Sequence, residues 1–258
     1  MFNNFLKTKI KKLFNYFGLT IERKSYQHNL PPDIEDYEKR LIDNAKKFSM
    51  TSKIRMLVLC RAFKYILENN IDGDLVECGV WKGGNLILLE NLMFEFNKFD
   101  RKIIGFDTFE GMTEPNKFDI NLKNKEAKKL LNKEKKIENN AKENTWCFSS
   151  YDSVLKNFEE NTKSNNLILI KGDVKETLSK DRNLPEKISL LRLDTDFYES
   201  TKIELEKLYP LLSKNGILII DDYGHWQGAK KAVDEYFEKI NYKPFLNIVD
   251  YSCRLIIK

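Results

Sequence analysis

Soft metal ligands and disulfide-forming residues are scarce in this sequence of 258 residues. Only two histidines accompany the four cysteines, which form no CxxC pair and are Cys60, Cys78, Cys147 and Cys253. Because a structural zinc site needs closely spaced thiolate or imidazole ligands, this pattern argues against one. We interpret the cysteines as reduced thiols in a cytoplasmic protein.

Long apolar runs are also missing, since none approaches the roughly 20 residues that a transmembrane helix needs. The first residues lack the apolar stretch and small-residue cleavage site of a signal peptide. The net charge of +5 is small for this length, which argues against a nucleic-acid partner. A hydrophobic fraction of 41% suits the core of one α/β domain with appendages.

Residues 1–30 form a basic amphipathic segment. Lys7, Lys9, Lys11 and Lys12 lie among apolar side chains at roughly helical spacing, which are Phe2, Phe5, Leu6, Ile10, Leu13, Phe14 and Phe17. Such a helix can lie on the inner face of an anionic membrane, or it can pack on its own domain or a partner subunit, which we favour. The next stretch, residues 31–72, predicts two further helices, over 34–48 and 52–69.

Residues 73–258 alternate short apolar runs with helical stretches, which is typical of a doubly wound parallel sheet. The five runs are 75–78, 102–106, 167–170, 190–193 and 217–220. Two more candidate strands, 244–249 and 253–257, are close enough to form a hairpin at the sheet edge. We therefore expect one α/β domain with helices on both faces of the sheet.

An insertion at residues 115–145 separates the second strand from the third. It consists mainly of Lys, Asn, Glu and Leu, and its EAKKLLNKEKKIE stretch predicts a helix. Loops of this length in compact domains are usually lids or disordered segments. We interpret the insertion either as a mobile cover over a site or as a solvated insertion without such a role.

Glycines and acids follow the first three predicted strands, at the edge where ligands of α/β sheets bind. A turn containing Gly79 and Gly83 lets the backbone approach a ligand closely. Asp107, after the second strand, is suited to bind both ribose hydroxyls of an adenosine, and a turn or capping aspartate is the alternative. Asp173, after the third strand, is expected near the adenine.

Four carboxylates follow the next two strands. Asp194 and Asp196 come directly after the fourth strand, and Asp221 and Asp222 after the fifth. In a partly buried cleft these groups would repel one another strongly unless a cation lay among them. Oxygen ligands without a thiolate or imidazole cluster favour a hard ion such as Mg²⁺. In the alternative interpretation, Asp222 caps a helix and Asp196 faces water.

Five stretches resemble the macrocin/mycinamicin-type sugar O-methyltransferases, which include the aminocoumarin-pathway methyltransferases. They are GDLVECGVWKGGN (73–85), FDTFEGM (106–112), KGDVKETL (171–178), LLRLDTDFYESTKIELEKLYPLL (190–212) and GILIIDDYGHWQGAKKAV (216–233). The resemblance implies a Rossmann-like class I methyltransferase fold with a mostly parallel seven-stranded sheet. It also implies S-adenosylmethionine and Mg²⁺ as cofactors, and a homo-oligomer (dimer or higher).

The same resemblance implies roles for single residues. Asp194, Asp221 and Asp222 would bind the metal, and Asp196 would be the general base. His225 is the alternative base, although we favour a structural role for this loop histidine. The cofactor would lie on Glu77, Cys78, Gly79, Gly83, Asp107, Thr108, Asp173 and Asp194. The insertion matches the family poorly, so the resemblance does not identify the acceptor.

The predicted acceptor is a hydroxyl group of a nucleotide sugar, a surface-polysaccharide sugar or a glycosylated natural product. A catechol-like phenol is an alternative, because a metal can hold vicinal hydroxyls on either ring. Tyr198 and Lys202 spell the YxxxK pair of NAD(P)-dependent short-chain reductases, but we expect Tyr198 at a helix start and Lys202 on the helix surface. A non-catalytic subunit that binds S-adenosylmethionine is the remaining alternative.

Overall fold

The computed structural model describes residues 30–137, 147–163 and 166–258, without the side chains of 133–137. The chain divides into a unit of residues 1–33 and a compact unit of residues 34–258, which holds every element named below. The predicted amphipathic segment therefore lies outside the described residues apart from Leu30. Among the described helices, none is long and apolar enough to cross a membrane.

A seven-stranded sheet forms the centre of the second unit, in the order β3-β2-β1-β4-β5-β7-β6. Strands β1 to β5 are parallel, and β7 runs antiparallel to both β5 and β6. The strands are β1 Asp74–Cys78, β2 Ile103–Asp107, β3 Leu167–Lys171, β4 Ile188–Leu193, β5 Leu212–Ile220, β6 Asn247–Ile248 and β7 Arg254–Ile257. This order confirms the predicted doubly wound sheet with a hairpin at one edge.

Eight described α-helices surround the sheet. They are α1 Asp36–Ala45, α2 Lys53–Glu68, α3 Gly84–Glu95, α4 Ala127–Ile137, α5 Tyr151–Asn161, α6 Val174–Thr177, α7 Tyr198–Leu208 and α8 Gln227–Lys239. Helices α1 and α2 confirm the two predicted before the sheet, although a 3₁₀ turn at Lys46–Phe48 follows α1. Helix α4 confirms the helix predicted inside the insertion.

Side chains alternate between the two faces of the sheet, which assigns the helices to opposite sides. Val76 and Cys78 of β1 and Leu191 of β4 belong to a buried apolar cluster with residues of α7 and α8, such as Leu205 and Val233. The intervening residues of β1 and β4 face the other way, towards α2 and α3. Burial on both faces explains why the central strands are near-continuous apolar runs.

The first part of the insertion is fixed to the rest of the domain by Asp119, which is 1% exposed. One carboxylate oxygen of Asp119 accepts the backbone N–H of Tyr198 (2.8 Å), and the other accepts that of Asn116 (2.7 Å). Tyr198 is the first residue of α7, whose preceding residue offers no side-chain cap. Asp119 therefore caps α7 from a distant part of the chain.

The next residues of the insertion pair with the loop after β5. The backbone N–H of Leu122 donates to the carbonyl of His225, and that of Gln227 donates to the carbonyl of Ile120 (both 2.9 Å). The insertion is therefore attached to the rest of the domain before α4 begins.

Removing the carboxylate of Asp119 should loosen this attachment. We expect Asp119→Ala to lower the free energy of unfolding by about 1–3 kcal/mol, because a cap is lost and two buried N–H groups lose their acceptor. Asp119→Asn keeps one carbonyl acceptor, so its free energy of unfolding should fall by less. Urea denaturation would measure both, and an Asp119→Ala variant as stable as the wild type would contradict the role of Asp119.

Candidate active site

A cavity of about 430 Å³ opens at the carboxyl ends of the parallel strands. Gly79 after β1, Asp107 at the end of β2, Asp194 after β4 and Asp222 after β5 all contribute to its wall. Leu130 of α4 contributes from the insertion. The cavity therefore lies at the sheet edge where ligands of doubly wound sheets bind.

Three of the predicted acids converge at this edge. Asp194, Asp221 and Asp222 each offer a carboxylate oxygen, and these oxygens lie within 4.8 Å of one another. Asp196 lies beside them: its Oδ1 accepts the indole N–H of Trp226 at 3.1 Å, and its carboxyl shares a hydrogen bond with that of Asp222. The structure thus brings together the four aspartates that the sequence placed after β4 and β5.

The electrostatics of this cluster favour a bound cation. Burial raises the pKa of Asp222 well above its usual value, and the charges of Asp196, Asp194 and Asp221 raise it further. Burial also raises the pKa of Asp194, against the lowering effect of Arg192. The pKa of Asp196 rises to about 6, again mainly through burial. Carboxyl groups this close resist ionising together unless positive charge is added.

The donor atoms also fit a hard divalent ion. Oδ2 of Asp222 is buried and has no hydrogen-bond partner among the described residues. The ligand atoms that Asp194, Asp221 and Asp222 can offer are all carboxylate oxygens, which Mg²⁺ and similar ions prefer. These three residues would therefore hold such an ion.

Arg192, which the sequence analysis missed, lies beneath the acids with a side chain only 3% exposed. Its guanidinium forms ion pairs with Glu77, with Asp194 (2.8 Å) and with Asp221 (2.5 Å). It also donates to the hydroxyl of Thr51 at 3.1 Å. A charged residue inside the apolar run of β4 was the signal in the sequence, since such a group is buried only with partners.

A second arginine reaches the cluster from α2. Nη1 of Arg55 pairs with Oδ2 of Asp221, while its Nε and Nη2 donate to the carboxylate of Asp250 at 2.6 and 3.1 Å. Asp250 also accepts the backbone N–H groups of Ser252 and Cys253. The helix before the sheet and the loop before β7 are therefore both parts of the site.

The glycine turn after β1 permits the close approach of two strand ends. Gly79 has a φ of +86°, and a Cβ there would lie 2.0 Å from the backbone oxygen of Asp194. Asp107 braces the same turn: its Oδ2 accepts the N–H groups of Val80 (2.7 Å) and Trp81 (3.1 Å). Asp107 therefore braces a turn, which was the alternative to ribose binding. It also lines the cavity, so ribose binding stays a proposal.

The other residues predicted to bind the cofactor lie in different surroundings. Thr108 lines the cavity and donates to the carbonyl of Gly111 at 2.6 Å. Asp173 caps α6 by accepting the N–H of Lys175, while its neighbours Gly172 and Val174 line the cavity. Three more lie outside the described cavity wall. Glu77 forms an ion pair with Arg192, Cys78 lies in the apolar core and Gly83 precedes the first residue of α3.

His225 lines the cavity on the loop that follows Asp222. Its Nδ1 lies 3.3 Å from the hydroxyl of Tyr251, and its backbone N–H donates to the carbonyl of Asp222 at 3.0 Å. Burial, followed by the charge of Arg55, lowers its pKa, which favours the neutral imidazole. These contacts suit the structural role that we favoured for this histidine.

The pair that suggested a reductase lies elsewhere. Tyr198 begins α7, as predicted, and its hydroxyl donates to Glu235 of α8 at 2.7 Å. The amino group of Lys202 lies 5.7 Å from the centre of the Tyr198 ring. Both residues lie outside the described wall of the cavity. The YxxxK pattern therefore reflects the packing of a helix, and the alternative of a reductase is not supported.

Comparison with known proteins identifies relatives of this chain. It is 32% identical over 186 residues to the demethyldecarbamoylnovobiocin O-methyltransferase of Streptomyces niveus, a match that covers 72% of this chain and 66% of the relative. It is 31% identical over 173 residues to a rhamnosyl-tetracenomycin-C 4'-O-methyltransferase of Streptomyces olivaceus, covering 66% and 60%. The chain thus spans slightly less than two thirds of these curated relatives.

Solved structures and a family model agree with these matches. The O-methyltransferase NovP is 27% identical, with a TM-score of 0.70 and 82% of each chain covered. The calicheamicin methyltransferase CalS11, at 17% identity and a TM-score of 0.59, shares the fold over 89% of this chain and 94% of its own. The family model of macrocin O-methyltransferases (TylF) matches residues 11–257. The chain therefore belongs to the macrocin O-methyltransferase family.

Proposed function

We propose that this chain is an S-adenosylmethionine- and Mg²⁺-dependent O-methyltransferase that acts on a sugar hydroxyl. The observation that carries the proposal is the convergence of Asp194, Asp221 and Asp222 beside Asp196. These acids lie in the cavity at the strand ends of a chain whose relatives are named as O-methyltransferases, among them mycinamicin III 3''-O-methyltransferase.

The residues at the ends of β1 and β2 would bind the cofactor. The backbone turn at Gly79 can approach it closely, because no Cβ intervenes. Asp107 is fixed by three backbone N–H groups, which leave about one of its four lone-pair sites free to accept a hydrogen bond from a ribose hydroxyl. Thr108 lies next to Asp107 in the same wall.

Asp194, Asp221 and Asp222 would hold the metal, and Asp196 would accept the proton of the acceptor hydroxyl. When bound, S-adenosylmethionine supplies the methyl group, and Mg²⁺ supplies positive charge that lowers the pKa of a nearby hydroxyl. The indole of Trp226 holds the Asp196 carboxylate in place by its hydrogen bond. The protein then contributes mainly orientation of the reacting groups.

Part of the cavity wall is apolar and belongs to the insertion. Met112 and the α4 residues Leu130 and Leu131 line the cavity there. With an acceptor bound, these apolar side chains would help to exclude water, which strengthens electrostatic interactions inside the cavity. The acceptor we propose is a sugar of a nucleotide, a surface polysaccharide or a glycosylated natural product.

Methyl transfer by the full chain tests this proposal. We expect S-adenosylhomocysteine with Mg²⁺ to raise the melting temperature, because a ligand of the folded state stabilises it. Labelled methyl from S-adenosylmethionine should pass to a member of a panel of glycosides and nucleotide sugars, with a catechol as comparison. EDTA should abolish transfer, and added Mg²⁺ should restore it.

Three results would contradict parts of the proposal. Methyl transfer that EDTA does not inhibit would show that the reaction does not depend on a metal. Transfer to the catechol alone would favour a phenol acceptor. Stabilisation by S-adenosylhomocysteine without transfer to any acceptor would point to a non-catalytic subunit.

A further inference from the structure

A buried acid of α7 contacts the segment that carries Asp194 and Asp196. Glu204 is fully buried, with 0% of its surface exposed. Its two carboxylate oxygens lie 2.9 and 3.1 Å from a single atom, the hydroxyl oxygen of Thr195. Thr195 stands between Asp194 and Asp196 in the turn that joins β4 to α7. Glu204 thus contacts the residue that links a proposed metal ligand to the proposed base.

No lysine or arginine of the described residues forms an ion pair with Glu204. Burial raises the pKa of Glu204 to about 8, and the negative charge of Asp173 adds to this rise. A neutral carboxyl suits the geometry, because it can donate to the Thr195 hydroxyl while accepting from it. An ionised carboxylate would leave one oxygen without a donor, since a hydroxyl has only one proton.

Burying such a group is unfavourable compared with an apolar side chain of similar size. The neighbouring core positions of α7, Leu205 and Leu208, are apolar and fully buried. The stability of α7 therefore does not account for an acid at this place. What Glu204 provides is a fixed position for the side chain of Thr195.

The turn that Thr195 belongs to is tightly bonded. The carbonyl of Thr195 accepts the backbone N–H of Phe197 (2.7 Å) and the hydroxyl of Ser200 (3.3 Å). Asp196 has a φ of +66°, in the left-handed region that residues other than glycine adopt uncommonly. Asp194, Thr195 and Asp196 all line the cavity, so the bond from Thr195 to Glu204 holds the middle residue of this part of the wall.

We propose that Glu204 is a positioning residue, whose hydrogen-bonded pair with Thr195 fixes the turn that carries Asp194 and Asp196. The inference rests on the proposed metal site. Glu204 does not touch the cavity itself, because it is not part of the described wall. It acts through Thr195, and its removal should therefore change metal binding without unfolding the chain.

Metal affinity measured by EPR of free Mn²⁺ tests this, with melting temperature recorded for every variant. We expect Glu204→Leu to weaken Mn²⁺ binding about tenfold, the lower end of the effect of removing groups that orient metal ligands. Its melting temperature should stay level or rise. Glu204→Gln, which can still accept from and donate to Thr195, should restore affinity to near that of the wild type. Glu206→Leu is the matched control, since Glu206 lies on the same helix and pairs with Lys239 at the surface.

A double variant keeps the test decisive if Glu204→Leu folds poorly. Thr195→Val with Glu204→Leu replaces both partners by apolar groups, which leaves no unpaired polar atom. It should bind Mn²⁺ about tenfold more weakly than the wild type, as expected for Glu204→Leu. Wild-type affinity in the double variant, or in a folded Glu204→Leu variant, would overturn the positioning role while leaving the metal site intact. Absence of Mn²⁺ binding by the wild type would overturn the proposed metal site, and this inference with it.

Discussion

Replacing Arg192 by methionine should leave little folded protein. The guanidinium of Arg192 is the shared partner of Glu77, Asp194 and Asp221, and its side chain is only 3% exposed. Breaking a buried ion pair by removing one partner costs about 3–5 kcal/mol, because a charge is left uncompensated. Here Glu77 and Asp194 lose their described ion-pair partner at once, and Asp221 keeps only Arg55. The total stability of a typical domain is only about 5–15 kcal/mol.

Soluble yield and urea denaturation would measure the effect of Arg192→Met. Arg40→Met is the matched control, because Arg40 pairs with Glu95 at 2.6 Å while its own side chain is 64% exposed. An exposed pair of this kind contributes only about 0–1 kcal/mol. Arg192→Lys keeps the charge but not the forked set of donors, so its stability should lie between those of Arg192→Met and Arg40→Met. Equal stability of Arg192→Met and Arg40→Met would show that the buried network is dispensable.

The second large effect should distinguish the proposed metal ligand Asp222 from the proposed base Asp196. We expect Asp222→Asn to lower Mn²⁺ affinity and to reduce methyl transfer by at least about 100-fold, because the metal loses a charged ligand. Without metal this variant should melt higher than the wild type, since the carboxyl it removes is buried beside three others. Asp196→Asn should keep Mn²⁺ affinity and lose about 100- to 10,000-fold in transfer, the usual contribution of a general base.

Calorimetric melting with and without Mn²⁺, followed by assay of methyl transfer, would separate these variants. Asp234→Asn is the control, because Asp234 lies on α8 with a side chain 44% exposed and pairs with Lys230 at the surface. Full activity of a metal-loaded Asp196→Asn variant would show that Asp196 is not the base, and it would favour His225 in that role. An Asp222→Asn variant that binds Mn²⁺ as the wild type does would remove Asp222 from the ligand set.

The sheet was predictable because buried parallel strands are apolar along their length. The largest difference is at β5, which starts at Leu212 rather than at the predicted 217. Its early residues Lys214 and Asn215 are polar and exposed, so the apolar pattern does not mark them as strand. Hydrophobic periodicity therefore finds the buried part of a strand and misses its solvated end.

The site was predictable only where its residues follow strand ends. Asp194 and Asp221 come directly after β4 and β5, whose ends meet at one edge. The partners of these acids depend on contacts between distant parts of the chain: Arg55 lies 166 residues from Asp221, and Arg192 lies 115 from Glu77. The role of Asp107 was uncertain for a different reason, since the same carboxylate can brace a turn or bind a ribose.

The attachment of the insertion through Asp119 separates its anchor from the part that lines the cavity. Residues 116–122 form the anchor, whose contacts lie on α7 and on the loop after Asp222. The part of the insertion that lines the cavity comes from α4, further along the chain. If the insertion covers the proposed site, substitutions in α4 would alter which acceptor fits while the anchor keeps its position. The insertion would then be a module whose specificity can diversify in evolution without disturbing the carboxylates of the cavity.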